Sequence, residues 1–202
     1  MSPTESIRTS ISEVGQAVRR PEELARRWKE RGTNGEVAPP PAVFAVLLFT
    51  AVIGTASYGL FMHLHRGLAG MGEGALLFPL AAGMAWVLAF PALYIINTIL
   101  GSRLDFSTTA LAATITVAFG ATAMLASIPI TWFFTLALPF TAIRWTVNFI
   151  VFAGVGICMS DVFLRVMKAV EPTRSQGYAF VWLMLLSAIG VQLFWLLGLF
   201  NF

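Results

Sequence analysis

Charged residues are scarce in this chain of 202 residues. Asp, Glu, Lys and Arg together make up 11% of it, whereas hydrophobic residues make up 57% and the mean hydropathy is +0.79. An ordinary soluble domain carries about 25% charged residues. So little charge excludes that class and indicates a polytopic membrane protein.

Cysteine and histidine are also rare. The single cysteine, Cys158, lies in an apolar segment, which excludes a disulfide framework and a metal site built from thiols. His63 and His65 are two residues apart, a spacing that directs them to different sides of a helix, and Glu73 is the nearest acid. A metal site from these three requires an extended chain. We expect solvent-facing histidines instead, and neither a metal nor another cofactor.

Common catalytic motifs are missing. The sequence has no Gly-x-Ser-x-Gly elbow, no His-Glu-x-x-His pair and no phosphate-binding glycine loop that ends in Gly-Lys. We interpret the glycine-rich run at 70–74 as a flexible turn between spans. The chain is therefore predicted not to be an enzyme. A weaker alternative is an enzyme that acts on lipids at the outer face through His63 and His65.

Long apolar segments dominate the rest of the chain. A helix that crosses a bilayer needs roughly 20 residues, and five segments meet this length: 43–64, 76–100, 107–129, 143–167 and 178–199. They predict an all-α protein with five transmembrane helices in a domain over 42–202. Residues 129–140 have a proline at or next to each end and are too short to cross, so we predict an interfacial or re-entrant piece there.

The first 41 residues form a polar tail with a proline-rich linker at its end. The periodicity predicts two short amphipathic helices, the first over 7–18 and the second from Pro21 to about Gly32, with Leu24 and Trp28 on one face. Two placements are equally compatible with this pattern. The tail helices lie among anionic lipid headgroups, or they pack on the protein's own loops or on a partner.

The distribution of Lys and Arg predicts the orientation. Seven of the thirteen lie in the tail, and four more lie in or after the last turn of the second or the fourth span, whereas only Arg66 and Arg144 lie on the other side. The positive-inside rule then places the amino terminus in the cytoplasm and the carboxy terminus on the opposite side. The pI of about 9.5 is thus explained by topology, and we predict no nucleic-acid partner.

Polar side chains concentrate near the predicted cytoplasmic ends of the second and fourth spans. Asp161 and Arg165 are four residues apart with the acid first, which is the favourable order for a helix pair. Interface anchoring with a loop cap explains such a layer. The functional alternative is a docking face for a partner or a lipid headgroup, formed by Trp28, Asn97, Arg103, Asp105, Asp161 and Arg165.

The predicted centre of the membrane contains hydroxyls and no charge. We expect Thr114, Thr116, Thr122 and Ser187 to bond to carbonyls of their own helices. A proton-coupled carrier usually needs a buried acid or histidine as a relay. None is predicted at this depth, which disfavours that class.

Several motifs resemble one known family. The tail sequence RRPEELARRW, the five spans and the stretch PALYIINTILGSRLDFSTTALAAT resemble the Yip-like (Ypt-interacting-protein-like) superfamily, particularly a bacterial branch. The matching positions at the end of the second span are Pro91, Tyr94, Asn97, Leu100, Gly101 and Phe106, and near the carboxy terminus they are Gly190, Val191, Gln192 and Trp195. The closing LLGLF departs from the branch. The resemblance implies a five-span bundle with a cytoplasmic amino terminus and implies little chemistry, since eukaryotic members are adaptors in membrane traffic.

Together these patterns favour a non-enzymatic protein of the bacterial inner membrane. We expect it to act as a scaffold, an assembly factor or an accessory subunit of a larger membrane complex. Its expected partners are membrane lipids and either another membrane protein or a second copy of itself. The alternative is a small passive channel, transporter or lipid scramblase in which the threonine-bearing third span lines the path.

Overall fold

The computed structural model describes residues 12, 15, 19–31, 41–99, 101, 102, 104–138, 140–172 and 177–200. Most of the predicted first tail helix, the linker and Arg103 lie outside these residues. Within the described residues all regular structure is helical, and five helices are long and apolar enough to cross a membrane. The predicted fold class, an all-α protein with five candidate spans, is confirmed.

Six α-helices have defined bounds in the described part of the chain. A tail helix, α1, precedes the five candidate spans α2 to α6, and a short 3₁₀ turn at Leu64–Arg66 separates α2 from α3. Their bounds are Pro21–Arg31, Pro41–Met62, Gly67–Ile99, Phe106–Ala137, Thr141–Val170 and Gly177–Leu196.

Two helices extend further than hydropathy predicts. The run at 70–74 belongs to α3, so its interpretation as a flexible turn was wrong, and α4 continues through Pro129 to Ala137, so a re-entrant piece was also wrong. In both extensions one face stays buried, with Gly70 and Gly74 on α3 and Thr131 and Thr135 on α4. Continued packing therefore keeps glycine, proline and threonine in helical conformation.

The five long helices pack in a defined order. Helix α2 lies between α3 and α4, while α5 packs on α4 and α6 packs on α3. Trp182 ties α6 to α3, because its buried indole Nε1 donates a hydrogen bond of 2.7 Å to the Ala89 carbonyl. We call the end of the bundle that carries α1, the start of α4 and the last turns of α5 the tail face, and the other end the opposite face.

Small residues allow two helix pairs to approach closely. A Cβ atom on Gly59 would lie 2.3 Å from the Gly74 carbonyl oxygen, and one on Gly54 would lie 2.6 Å from that of Ala121. Thr55 and Gly59 are both buried and lie four residues apart, a spacing of small residues that lets helix backbones approach closely. Gly154 and Cys158 have the same spacing without such a contact, because a Cβ on Gly154 would meet nothing within 4 Å and Cys158 is exposed.

The mid-span hydroxyls behave as predicted. Each donates to the carbonyl of the residue four positions earlier in its own helix, at 2.7–2.9 Å, and this holds for Thr114, Thr116, Thr122 and Ser187. These hydroxyls need no bound water, because each already donates a hydrogen bond to a carbonyl of its own helix.

Candidate functional site: the tail face

Helix α1 is folded onto the bundle. Pro21 suits a first helical position, and Glu22 and Glu23 complement the helix dipole in the first turn. Leu24 is 0% and Trp28 7% exposed, and both belong to one apolar cluster with residues of α4 and α5. Of the two placements that the sequence allowed, the structure shows packing on the protein itself.

The α5 residues under this helix come from its last three turns. They are Val162, Phe163, Val166, Met167 and Val170, all of which are buried. Fully burying a large apolar side chain contributes about 1.5–3 kcal/mol. Burial of Leu24 and Trp28 therefore favours the docking of α1 on the bundle.

Arg165 links α1 to α5 by charge. Its Nη1 lies 3.2 Å from Glu22 Oε2, and its Nε lies 3.0 Å from Asp161 Oδ2. The predicted pair of Asp161 and Arg165 is thus present and has a third member on α1. All three side chains are at least one-third exposed, so the two ion pairs orient α1 more than they stabilise it.

The connection from α3 to α4 is shaped by a helix stop. Gly101 has a φ of 83°, its N–H donates to the Thr98 carbonyl, and the Ser102 N–H donates to the Asn97 carbonyl. This pattern is a Schellman motif, which ends α3. The Ser102 hydroxyl donates to both carboxylate oxygens of Glu171, at 3.1 and 3.0 Å, and so joins this connection to the end of α5.

Asp105 starts α4 as its N-cap. Its Oδ1 accepts a hydrogen bond of 3.3 Å from the Thr108 N–H, and its Oδ2 accepts one from the Ser107 hydroxyl. Partial burial of the carboxyl acts to raise its pKa, but the hydrogen bonds from Ser107 and Thr108 outweigh burial, and the pKa of Asp105 is lowered. The loop cap expected in this region is therefore present.

The six residues predicted as a docking face occupy different environments. Trp28 and Asn97 are buried, at 7% and 2% exposure, so neither side chain is displayed on the tail face in this conformation. Asp105 is half-buried in its cap, Asp161 and Arg165 are exposed, and Arg103 lies outside the described residues. The displayed part of the predicted face is the ion-pair layer on α5 with the outer side of α1.

A buried polar network near the opposite face was not predicted. The Tyr58 hydroxyl donates to Asn148 Oδ1 at 2.8 Å and accepts from the Thr131 hydroxyl at 3.1 Å. Asn148 Nδ2 donates to the Arg144 carbonyl at 2.8 Å. These bonds connect α2, α4 and α5. Tyr58 is the sequence feature that could have predicted this network, because a phenol hydroxyl inside an apolar span needs a hydrogen-bond partner.

His63 differs from the expectation, whereas His65 is partly exposed. His63 is 1% exposed and its Nδ1 lies 3.0 Å from the Gly59 carbonyl oxygen, so the prediction of a solvent-facing side chain was wrong. The close packing of α2 and α3 at Gly59 and Gly74 covers this ring. Across the described residues no group of three His, Cys, Asp or Glu is positioned to hold a metal ion.

A lateral groove lies between α3 and α4, with α2 as its floor. These two helices pack on α2 much more than on one another, which leaves a space of about 740 Å³ on the side of the bundle. Leu48 and Val52 lie on the floor, Gly83 and Val87 on the α3 wall, and Thr114 on the α4 wall. We call this space the lateral groove.

No protein-family model, curated protein or solved structure matches the chain. The arrangement of its own residues is therefore the basis for assigning a function.

Proposed function

We propose that this is a non-enzymatic integral membrane protein that acts as a scaffold, an assembly factor or an accessory subunit of a larger membrane complex. The observation that carries the proposal is the docking of α1 on α4 and α5. The bundle ends there in an ordered helical layer with charged side chains on its outer side. Such a layer suits contact with another protein.

The charges of the tail face include both signs. Asp161, Arg165 and Lys168 are exposed on α5, and Arg20 and Glu23 form an exposed pair at the start of α1. A mixed pattern confers specificity on a protein partner with complementary charges. Among the described side chains this pattern differs from the single-sign field typical of nucleic-acid binding.

The excess of Lys and Arg on this side supports a cytoplasmic tail face. The resemblance to the bacterial Yip-like branch supports placement in an inner membrane. The partner is accordingly another membrane protein or a second copy with an exposed cytoplasmic surface, in a bilayer whose lipids cover the spans.

The alternative, a small passive channel, transporter or lipid scramblase, has less support. A channel or scramblase needs a continuous polar path for an ion or a headgroup. The hydroxyls of Thr114 and Thr116 are occupied by carbonyls of their own helix, and the lateral groove is almost entirely apolar.

A pair of charge swaps tests the proposal. Asp161→Lys with Lys168→Glu alters the tail face, keeps the net charge and changes neither Glu22 nor Arg165, the two partners of the ion pair between α1 and α5. The matched control is Arg66→Glu with Glu73→Arg, which swaps an exposed pair on the opposite face that is also seven residues apart. Proteins that co-purify after mild extraction are quantified for both variants and for the wild type.

We expect the tail-face swap to reduce recovery of the partner by about tenfold, which corresponds to 1.4 kcal/mol, and the control to retain it. Equal recovery from the two variants would contradict the docking face. Ion flux or lipid scrambling by the purified wild-type protein alone in liposomes would contradict the scaffold assignment and favour the alternative.

A further inference from the structure

The lateral groove is built by helices that diverge around a floor. Helices α3 and α4 contact α2 along both of its sides and leave Leu48 and Val52 uncovered between them, each about half exposed. Phe106 closes the groove toward the tail face, where its ring contacts Phe90 at 5.2 Å and Tyr94 at 5.6 Å between centroids. The groove is thus open sideways and closed at one end.

The chemistry of the walls selects an apolar occupant. Asp, Glu, Lys, Arg and His do not occur among the residues that line the groove. The hydroxyls of Thr55 and Thr114 are bonded to the carbonyls of Ala51 and Ala110, at 2.7 Å each. Water needs two to four polar partners in such a space. A neutral hydrocarbon needs none, and the surrounding bilayer supplies it.

The length of the groove favours an acyl chain over a transmembrane helix. The α3 wall runs from Pro79 to Ile95, which is about 24 Å at 1.5 Å per residue. This is longer than the roughly 15 Å of one hydrocarbon leaflet and shorter than the roughly 30 Å that a transmembrane helix must cross. The groove is therefore long enough for an extended acyl chain and too short to cover a whole transmembrane helix.

We propose that the lateral groove is a binding site for an acyl chain of a membrane phospholipid. The acyl chain lies along α3 between Pro79 and Tyr94, over Val52 on the floor and beside Thr114 on the opposite wall. This site is separate from the tail-face surface and does not depend on the proposed docking of a partner there.

Photolabelling tests the proposal with the purified full-length protein in nanodiscs. The probe is a phosphatidylcholine with a diazirine near the end of one acyl chain, and the labelled residues are identified by mass spectrometry. Gly83→Phe fills the groove, because a Cβ on Gly83 meets nothing within 4 Å and the site lies on the groove wall. Gly154→Phe is the matched control, since it is equally open and lies on α5 outside the groove.

We expect labelling of the wild type to concentrate at Val52, Val87 and Thr114. Gly83→Phe should lower labelling at these sites by about tenfold, equivalent to 1.4 kcal/mol, and Gly154→Phe should leave it unchanged. Labelling spread evenly over the lipid-facing residues and insensitive to Gly83→Phe would mean ordinary boundary lipid and would overturn the proposal. If Gly83→Phe does not fold, Gly83→Leu against Gly154→Leu makes the same comparison with a smaller side chain.

A second measurement tests whether a helix of a second copy, instead of an acyl chain, occupies the groove. Val87→Cys is introduced into a Cys158→Ala background and oxidised in the membrane. The proposal predicts that the protein stays monomeric under oxidation while the wild type is labelled in the groove. An intermolecular disulfide at position 87, together with loss of lipid labelling, would identify a helix of a second copy as the occupant and would overturn the assignment.

Discussion

Asp105 shows how one carboxylate organises the start of a span. It caps α4 through Thr108 and also accepts from Ser107. Asp105→Ala should lower the free energy of unfolding by about 0.5–2 kcal/mol, as for other lost N-caps. Asp105→Asn should retain most of the stability, because its side-chain oxygen can accept the same bond. Unfolding of the purified variants in mixed micelles measures both, and an equal loss in the two variants would contradict the capping role.

The pH dependence of this cap has a definite sign. The folded state lowers the pKa of Asp105 below the ordinary value of 3.8, so its charge contributes stability above that value and the contribution is lost as pH falls through the folded pKa. The stability difference between wild type and Asp105→Asn should therefore be constant near neutral pH and shrink below about pH 4. A difference that grew on acidification would contradict the assignment.

Tyr58 is the residue on which the buried polar network converges. Tyr58→Phe should destabilise the protein by about 1 kcal/mol, because Asn148 loses a donor and Thr131 loses an acceptor in an apolar environment. A double-mutant cycle with Thr131→Val checks the coupling. The two changes should be less than additive, and strict additivity would show that these hydroxyls do not interact.

Hydrogen bonds within one helix can be predicted from the sequence, whereas hydrogen bonds between helices cannot. The hydroxyls of Thr114 and Thr116 find acceptors four residues away in the same helix, so sequence alone identifies the partners. Tyr58 and Asn148 are 90 residues apart. Their bond depends on which helices are neighbours, and hydropathy carries no information on that.

Among the elements, the α2 and α3 pair is the most sensitive to side-chain size. Gly59→Ala places a Cβ atom against the Gly74 backbone, which cannot move as a side chain does. We expect a loss of about 1–3 kcal/mol, the range for overpacked sites. The control Gly154→Ala has open space and should be neutral or slightly stabilising, because alanine favours helix more than glycine. Equal losses for the two variants in an unfolding assay would contradict the close approach.

The hydropathy of the sequence predicts that each spanning helix is present, but it does not predict where two of these helices end. The apolar windows locate every span, but the glycines at 70–74 and Pro129 are breakers in isolation. In the structure they lie in helices of 33 and 32 residues, about 50 Å long. Contacts with neighbouring helices determine where these two helices end. A hydropathy window along a single segment carries no information on such contacts.

For the whole molecule, the predictable features are those set by charge and hydropathy. The exposed ion pairs lie at the two ends of the bundle, as the sequence indicated for Asp161 and Arg165 on one side and Arg66 on the other. The order of the helices and the lateral groove result from pairwise packing. The tail helix was recognised by its pattern, but the choice between the membrane surface and the bundle depends on the apolar end of α5.

The most direct test of the account is the distance between α1 and α5 in a bilayer, because the proposed docking surface exists only if α1 is packed on the bundle. Spin labels at Arg26 and Lys168, both exposed, in a Cys158→Ala background report this distance by pulsed electron paramagnetic resonance in nanodiscs. The account predicts one narrow distance distribution that matches the packed arrangement. A broad distribution, or one centred well beyond that separation, would show that α1 leaves the bundle and would contradict the account.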